Sequence, residues 1–318
     1  MLTLNPVSRR ASLLLVCAFF VLSLGVIRLS TNYHGDERFY TDAAIRMIQT
    51  GDFWTPYFAH GAERFQKPVL SYWCIVSAYQ AGGINLLTSR ITSLAAAVAL
   101  ALVSVALYRS LFGRDGGAWA TLPILLTNST MFLVAWRATP DMLSALFINL
   151  SLLGFIRLVT GTGPRRGVDP WLAYLSAGLA VATKGGLGVL PVAFAWILCL
   201  SVPRLRERRS PLWHAPSIII GLAIGCFWFA AMLHEHGWSA WRQFFHDQVG
   251  AKVGADVVSQ ISIIVSYLIA PFRHFLPWTL LLWPWLAGHL SPLFSDEEKI
   301  RGVRLVIFAW LAVVLAIF

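Results

Sequence analysis

Residues 9–40 read RRASLLLVCAFFVLSLGVIRLSTNYHGDERFY. Two arginines open the stretch, an uncharged apolar run follows, and a cluster of ionisable residues closes it. The run from Ala11 to Ile27 is about as long as a spanning helix, which needs roughly 20 mostly apolar residues. Its basic flank resembles that of a signal peptide, but no small-residue cleavage site follows, so it reads as a retained first helix.

The same texture continues along the chain. Hydrophobic residues make up 57% and charged residues 13%, with a mean hydropathy of +0.67. A soluble globular chain carries about 25% charged residues, so the class is membrane protein. Further apolar runs lie at 85–108, 117–135, 142–159, 170–186, 187–203, 212–233, 264–290 and 303–318. The expected fold is an all-α polytopic membrane protein, a single transmembrane domain of about nine helices over residues 1–318. Pro271, Pro277 and Pro284 predict kinks in 264–290. The pair 170–203 is short for two spans, and its Thr-Lys-Gly-Gly-Leu-Gly centre reads as a tight turn. The last run meets Phe318 without a cap or flanking charge, so a C-terminal part is expected beyond it.

The net charge of +10 has a topological explanation. Arg9/Arg10, Arg109/Arg114, Arg157/Arg165/Arg166, Arg204/Arg206/Arg208/Arg209 and Lys299/Arg301/Arg304 fall at every second helix boundary. Such loops are cytoplasmic. No basic-aromatic module accompanies the charge, so nucleic acid is not an expected partner. Cys17, Cys74, Cys199 and Cys226 lie far apart in apolar surroundings, which predicts neither disulfides nor thiol chemistry. The opposite face receives residues 30–84, 136–141, 184–186 and 234–263. Within the first of these, an amphipathic helix is expected from Glu37 to Gln49. A second, over Val69–Ala81, is too short to span, and its Trp and Tyr suit an interfacial helix on membrane lipids.

Five constellations lie on that face. In His34-Gly35-Asp36-Glu37-Arg38-Phe39-Tyr40, Asp36 reads either as a helix cap or as a carboxylate that takes a proton from an acceptor. In Arg64-Phe65-Gln66-Lys67-Pro68, two cations either anchor lipid headgroups or bind phosphate. Arg137-Ala138-Thr139-Pro140-Asp141 places an Arg and an Asp at membrane depth, where ions pair or act. Thr183-Lys184-Gly185-Gly186 joins a lone cation to glycines that admit a ligand near the backbone. The fifth runs from His234-Glu235-His236 through His246-Asp247-Gln248 to Lys252. A zinc site there is the less favoured reading, because H-E-x-x-H is absent and zinc wants three or four convergent ligands. No cofactor is expected. Together, carboxylates and cations on one face suit a phosphate-bearing substrate bound at the lipid surface.

The ordered series Asp36-Glu37-x-x-Tyr40, Gly51-Asp52-Phe53-Trp54-x-Pro56, Arg64-Phe65-x-Lys67-Pro68-x-Leu70-x-Tyr72-Trp73, Arg137-x-x-x-Asp141-Met142 and Thr183-Lys184-Gly185 resembles the N-terminal part of lipid-linked glycosyltransferases of the C-type fold. The branch it is most similar to holds the bacterial aminoarabinose transferases that modify lipid A and relatives of the protein O-mannosyltransferases. The resemblance runs from about Arg9 to Trp283 and implies a C-type transmembrane fold with amphipathic juxtamembrane helices in the first periplasmic loop. It implies transfer of a sugar from a polyprenyl-phosphate donor to a lipid, glycan or protein acceptor, with inversion. The chain would sit in the bacterial inner membrane, N-terminus cytoplasmic and active site periplasmic. The implied catalytic residues are Asp36, Glu37 and Asp141. Tyr40, Arg64, Lys67, Arg137, Lys184 and Lys252 would bind substrate, with Lys67, Arg137, Lys184 and Lys252 neutralising the donor phosphate.

Three positions depart from the aminoarabinose branch. Its Glu before Lys-Pro is Gln66 here, its Arg before the first-loop Tyr is Phe39, and a later His-bearing motif is replaced by His246-Asp247-Gln248. A transporter or flippase of lipid-linked saccharides would place its charges mid-membrane in broken helices. Their position on one face favours an enzyme, with a non-catalytic membrane subunit as the third reading.

Overall fold

The computed structural model describes residues 8–112, 117–163, 167–247 and scattered positions between 262 and 310. Its described elements are helical, apart from one isolated bridge between Tyr57 and Glu63. The helices are α1 Arg9–Leu29, α2 Gly35–Thr50, α3 Leu70–Gly82, α4 Leu86–Phe112, α5 Thr121–Leu126, α6 Ser129–Ala135, α7 Asp141–Thr160, α8 Asp169–Lys184, α9 Leu190–Ser201, α10 Ala215–His236 and α11 Trp238–Phe245.

Helix α1 shows how the sequence sorts its faces. Ser8 caps it, its side chain accepting the Ala11 N–H at 3.1 Å. Ser12, Val16, Phe19, Ser23 and Ile27 are buried, a spacing of three and four that draws one stripe along a helix. Leu14, Val21, Leu22 and Leu29 on the remaining faces are exposed. An apolar face of this extent belongs in hydrocarbon. The α4 stripe buried in the same core begins at Leu94 and continues with the small residues Ala96, Ala97 and Ala101 to Val105. Small residues let spanning helices approach closely.

Closer still are α7, α8 and α10. A Cβ on Gly154 would stand 2.5 Å from the Ala173 nitrogen, and one on Gly178 would stand 2.2 Å from the Gly221 carbonyl oxygen. These helices touch backbone to backbone, and only glycine permits it.

Helices α1, α4, α7 and α10 are long and apolar enough to cross a membrane. The run expected as one helix over 117–135 is instead bent by 68° between α5 and α6. Asn128 restarts the helix there, its side chain accepting the Met131 N–H at 3.1 Å and donating to the His274 carbonyl at 2.8 Å. The expected pair 170–186 and 187–203 becomes the 16-residue α8 and the 12-residue α9, joined by a 3₁₀ turn at Gly186–Val189. His234, Glu235 and His236, expected in a loop, form the last turn of α10. The expected helices 264–290 and 303–318 lie outside the described residues apart from isolated positions.

Candidate active site

The residues expected on one face meet at one end of the bundle. The first long connection is organised by Asp52, whose carboxylate accepts the N–H groups of Trp54 (2.9 Å) and Thr55 (3.1 Å) and the Tyr57 hydroxyl (3.1 Å). Burial pushes the Asp52 carboxyl up, but these bonds outweigh it and hold the group below its ordinary range. The turn that follows bends through Gly61 at φ +92° and delivers Arg64. The Trp73 indole donates to the Phe53 carbonyl at 2.6 Å and the Trp228 indole to that of Trp54 at 3.0 Å. The loop is thereby pinned to α3 and α10.

Glu37 ties this connection to the bundle. It is fully buried, and the guanidinium of Arg90 grips it through Nε to Oε1 and Nη2 to Oε2, both at 2.8 Å. Its carboxylate also accepts the N–H of His34 at 2.6 Å and of Ala138 at 2.8 Å. Burial raises the Glu37 pKa, but the Arg90 and backbone bonds lower it further, so the group stays ionised below the usual carboxylate range. One carboxylate therefore locks α2, α4 and the 136–140 connection together. Glu37, expected to be catalytic, is enclosed with four donors at its two oxygens and turned away from solvent.

Asp36 has the opposite environment. It is exposed in the first turn of α2, whose N-cap is His34, so Asp36 is not the cap. It makes no hydrogen bond or ion pair among the described residues. Tyr40, one turn on, is buried. Burial pushes its hydroxyl up, the Arg64 guanidinium pulls it down, and the Asp141 and Asp36 charges push it up again. These four side chains share one electrostatic neighbourhood.

Asp141 opens α7 and is ion-paired with Lys184, the last residue of α8. The Lys67 charge acts on the same carboxylate. Gly185 follows Lys184 at φ +80°, and a Cβ there would press on the Phe244 ring of α11 at 3.2 Å. Arg137 is half-buried and has no side-chain partner among the described residues. Arg64 is buried, donates to the Tyr72 hydroxyl and lies over the Phe39, Tyr40 and Phe58 rings. Lys252 lies outside the described residues.

Of the histidines in the fifth constellation, His236 ties the first connection to α10. His236 contacts Thr55 at 3.1 Å and Glu63 at 3.3 Å, and Gln66 reaches Asp247 at 3.3 Å. Among the described residues no group of three or more His, Cys, Asp or Glu is placed to hold a metal ion. The sequence reading missed Arg90. The signal was there, as the one charge within 85–108, but nothing in the sequence pairs it with a glutamate 53 residues earlier.

An exposed carboxylate beside a tyrosine, with cations gathered at a second carboxylate, can take a proton from one group and neutralise phosphate on another. Comparison with known proteins places the chain in a family. Residues 66–230 match the model of the dolichyl-phosphate-mannose-protein mannosyltransferase family. The chain is 26% identical to an undecaprenyl phosphate-alpha-4-amino-4-deoxy-L-arabinose arabinosyl transferase of Pseudomonas fluorescens, covering 99% of this chain and 53% of that protein. It is 27% identical to the corresponding transferase of Pseudomonas aeruginosa, covering 95% and 54%. It thus spans about half the length of these curated relatives. In fold it is similar to the crystal structure of ArnT from Cupriavidus metallidurans bound to undecaprenyl phosphate, with a TM-score of 0.75 at 20% identity over 96% of this chain and 56% of that one. With more than half of its residues matched by the family model, this chain belongs to the dolichyl-phosphate-mannose-protein mannosyltransferase family.

Proposed function

We propose that this chain carries the catalytic site of an inverting membrane glycosyltransferase, moving a sugar from a polyprenyl-phosphate donor to a lipid, glycan or protein acceptor. The observation that carries the reading is the contrast between adjacent carboxylates. Glu37 is buried and saturated, whereas Asp36 is exposed and, among the described residues, unpaired beside the Tyr40–Asp141–Lys184 cluster. A structural need for acid at this helix start is already met by Glu37.

In the proposed step, an acceptor hydroxyl oxygen attacks the anomeric carbon on the side opposite the phosphate. The bond from that carbon to the phosphate oxygen breaks, polyprenyl phosphate leaves with the bonding pair, and the hydroxyl proton passes to Asp36. Lys67, Arg137 and Lys184 stabilise the charge that grows on the leaving phosphate. Lys252 joins them by resemblance. Asp141 holds Lys184 at the end of α8, Tyr40 walls the site, and Glu37 positions Asp36 through α2. The relatives named as arabinosyl transferases point to undecaprenyl phosphate as the carrier and to an aminoarabinose-type sugar with a lipid A-type acceptor. The site faces the periplasm in a bacterial inner membrane, consistent with the distribution of basic residues.

The test is transfer by the full-length protein from an undecaprenyl-phosphate sugar, with the product anomer read by NMR. The wild type is expected to invert the anomeric centre, and Asp36→Asn to lose transfer while keeping its melting temperature. Retention of configuration, or an active Asp36→Asn protein, would overturn the mechanism.

A further inference from the structure

We propose that the end of the bundle opposite Asp141 binds a phospholipid whose headgroup joins a phosphate to a primary ammonium group. The proposal does not depend on the glycosyl-transfer reading. Arg157 lies in the last turn of α7, which Asp141 opens, so the two are about 24 Å apart along the helix axis. Asp169 opens α8, and Lys184 closes it at the other end. At this far end lies a cavity of about 300 Å³ whose walls include Arg157, Gly161, Asp169, Ser210, Trp213 and His214. That volume is at the small end of ligand cavities.

The wall carries one cation and one anion, and neither is used up by the other. In the Glu37–Arg90 pair two hydrogen bonds close at 2.8 Å. Between Arg157 and Asp169 the closest approach is 3.6 Å, from Nη1 to Oδ1, and the Arg157 Nε reaches only the Ser110 hydroxyl at 3.4 Å. Asp169 is 3% exposed and accepts no shorter hydrogen bond among the described residues. A buried carboxylate left this open is costly unless donors reach it. Gly163 backs it so closely that a Cβ there would stand 1.7 Å from Oδ2. An ammonium group brings N–H donors to Asp169, and a phosphate takes the remaining N–H groups of Arg157. The start of α10, capped by His214, meets the same wall and favours the anionic half. A quaternary ammonium has no N–H to give Asp169, and a purely anionic headgroup would be repelled by it.

The surroundings make the ligand a lipid. Ile197 and Leu200 of α9 and Ile219 and Ile220 of α10 are exposed on the helices leading to this wall. Arg206, Glu207 and Arg209 are exposed on the 3₁₀ segment Pro203–Leu212 between those helices. Trp213 joins the two surfaces. It is 70% exposed and packs edge-on to Trp196 with centroids 4.9 Å apart. An exposed tryptophan between an apolar belt and a charged segment marks the headgroup level of a membrane. The cavity opens beside it, so the headgroup enters while the acyl chains lie along α9 and α10.

The test titrates the full-length protein in detergent with dioctanoyl phosphatidylethanolamine, phosphatidylcholine and phosphatidylglycerol, read by native mass spectrometry and tryptophan fluorescence. The ethanolamine lipid should bind saturably, at least tenfold more tightly than the other two. Asp169→Asn should bring the ethanolamine and glycerol lipids within about twofold of each other. Ser210→Phe alters an exposed wall residue outside the ion pair and fills the cavity. It should weaken ethanolamine-lipid binding tenfold or more at an unchanged lipid-free melting temperature, so the proposal stays testable if Asp169→Asn does not fold. Equal affinity for the glycerol lipid in the wild type would overturn the proposal, as would wild-type binding in Ser210→Phe. So would soluble phosphoethanolamine binding as tightly as the lipid, because the site would then not belong to the membrane surface.

Discussion

Glu37→Gln removes one charge from the most enclosed ion pair described in the molecule and leaves its partner in place. Arg90 would keep its burial but lose the carboxylate that both of its donors reach at 2.8 Å. Removing one partner of a buried pair costs about 3–5 kcal/mol, because the remaining charge is uncompensated. Two further N–H groups, from His34 and Ala138, use the same two oxygens, so the amide must present an NH₂ to at least one of the four donors. We therefore expect a loss at the upper part of that range. The assay is thermal unfolding of the full-length protein in detergent, run with Arg90→Met and with the double variant. Each single variant should melt well below the wild type. The double should be less destabilised than the sum, because it buries no lone charge. The pH dependence has a definite sign. Since the folded-state pKa of Glu37 is depressed, its contribution is fully present above the unfolded value of about 4.3 and is lost as pH falls through the folded value. Wild-type melting for Glu37→Gln, or strict additivity in the double variant, would refute the idea that this carboxylate locks the connection to the bundle.

Other outcomes follow from the same geometry. Gly221→Leu would drive a side chain toward the Tyr174 carbonyl, where even a Cβ stands at 2.5 Å, so α8 and α10 must separate. Overpacking of this kind costs about 1–3 kcal/mol or more and would appear as lost yield of monodisperse protein in detergent. Asn128→Ala removes the cap at the bend between α5 and α6 and should cost about 1 kcal/mol in thermal unfolding. Lys184→Met leaves Asp141 without its ion-pair partner, and in binding measurements should weaken affinity for undecaprenyl phosphate about tenfold, a value of the order expected for one charge-assisted contact.

How far the sequence reveals this arrangement varies by element. Helices α1, α4, α7 and α10 were legible because length and apolarity alone decide a membrane span. Asp36, Lys67, Asp141 and Lys184 were legible as motifs, since polar residues at helix ends of an apolar chain stand out. The bend at Asn128 was not, because a helix cap inside an apolar run leaves the average hydropathy of 117–135 high. The division of labour between Asp36 and Glu37 was also hidden. Adjacent residues on a helix differ by about 100° in direction, and which one faces the bundle depends on where Arg90 lies. Nor does the sequence show that Arg64 is caged by Phe39, Tyr40 and Phe58, because those rings come from two separate segments.

The central claim is that the exposed carboxylate of Asp36 drives sugar transfer to an envelope acceptor. Mass spectrometry of cell-envelope lipids and glycans tests it most directly, comparing cells carrying the full-length wild-type gene, the Asp36→Asn gene and none. A product heavier by one sugar should be present with the wild type and absent from the other two, with the variant protein at wild-type abundance in the membrane. The same product in the Asp36→Asn cells, or no glycoconjugate difference between wild type and deletion, would contradict it.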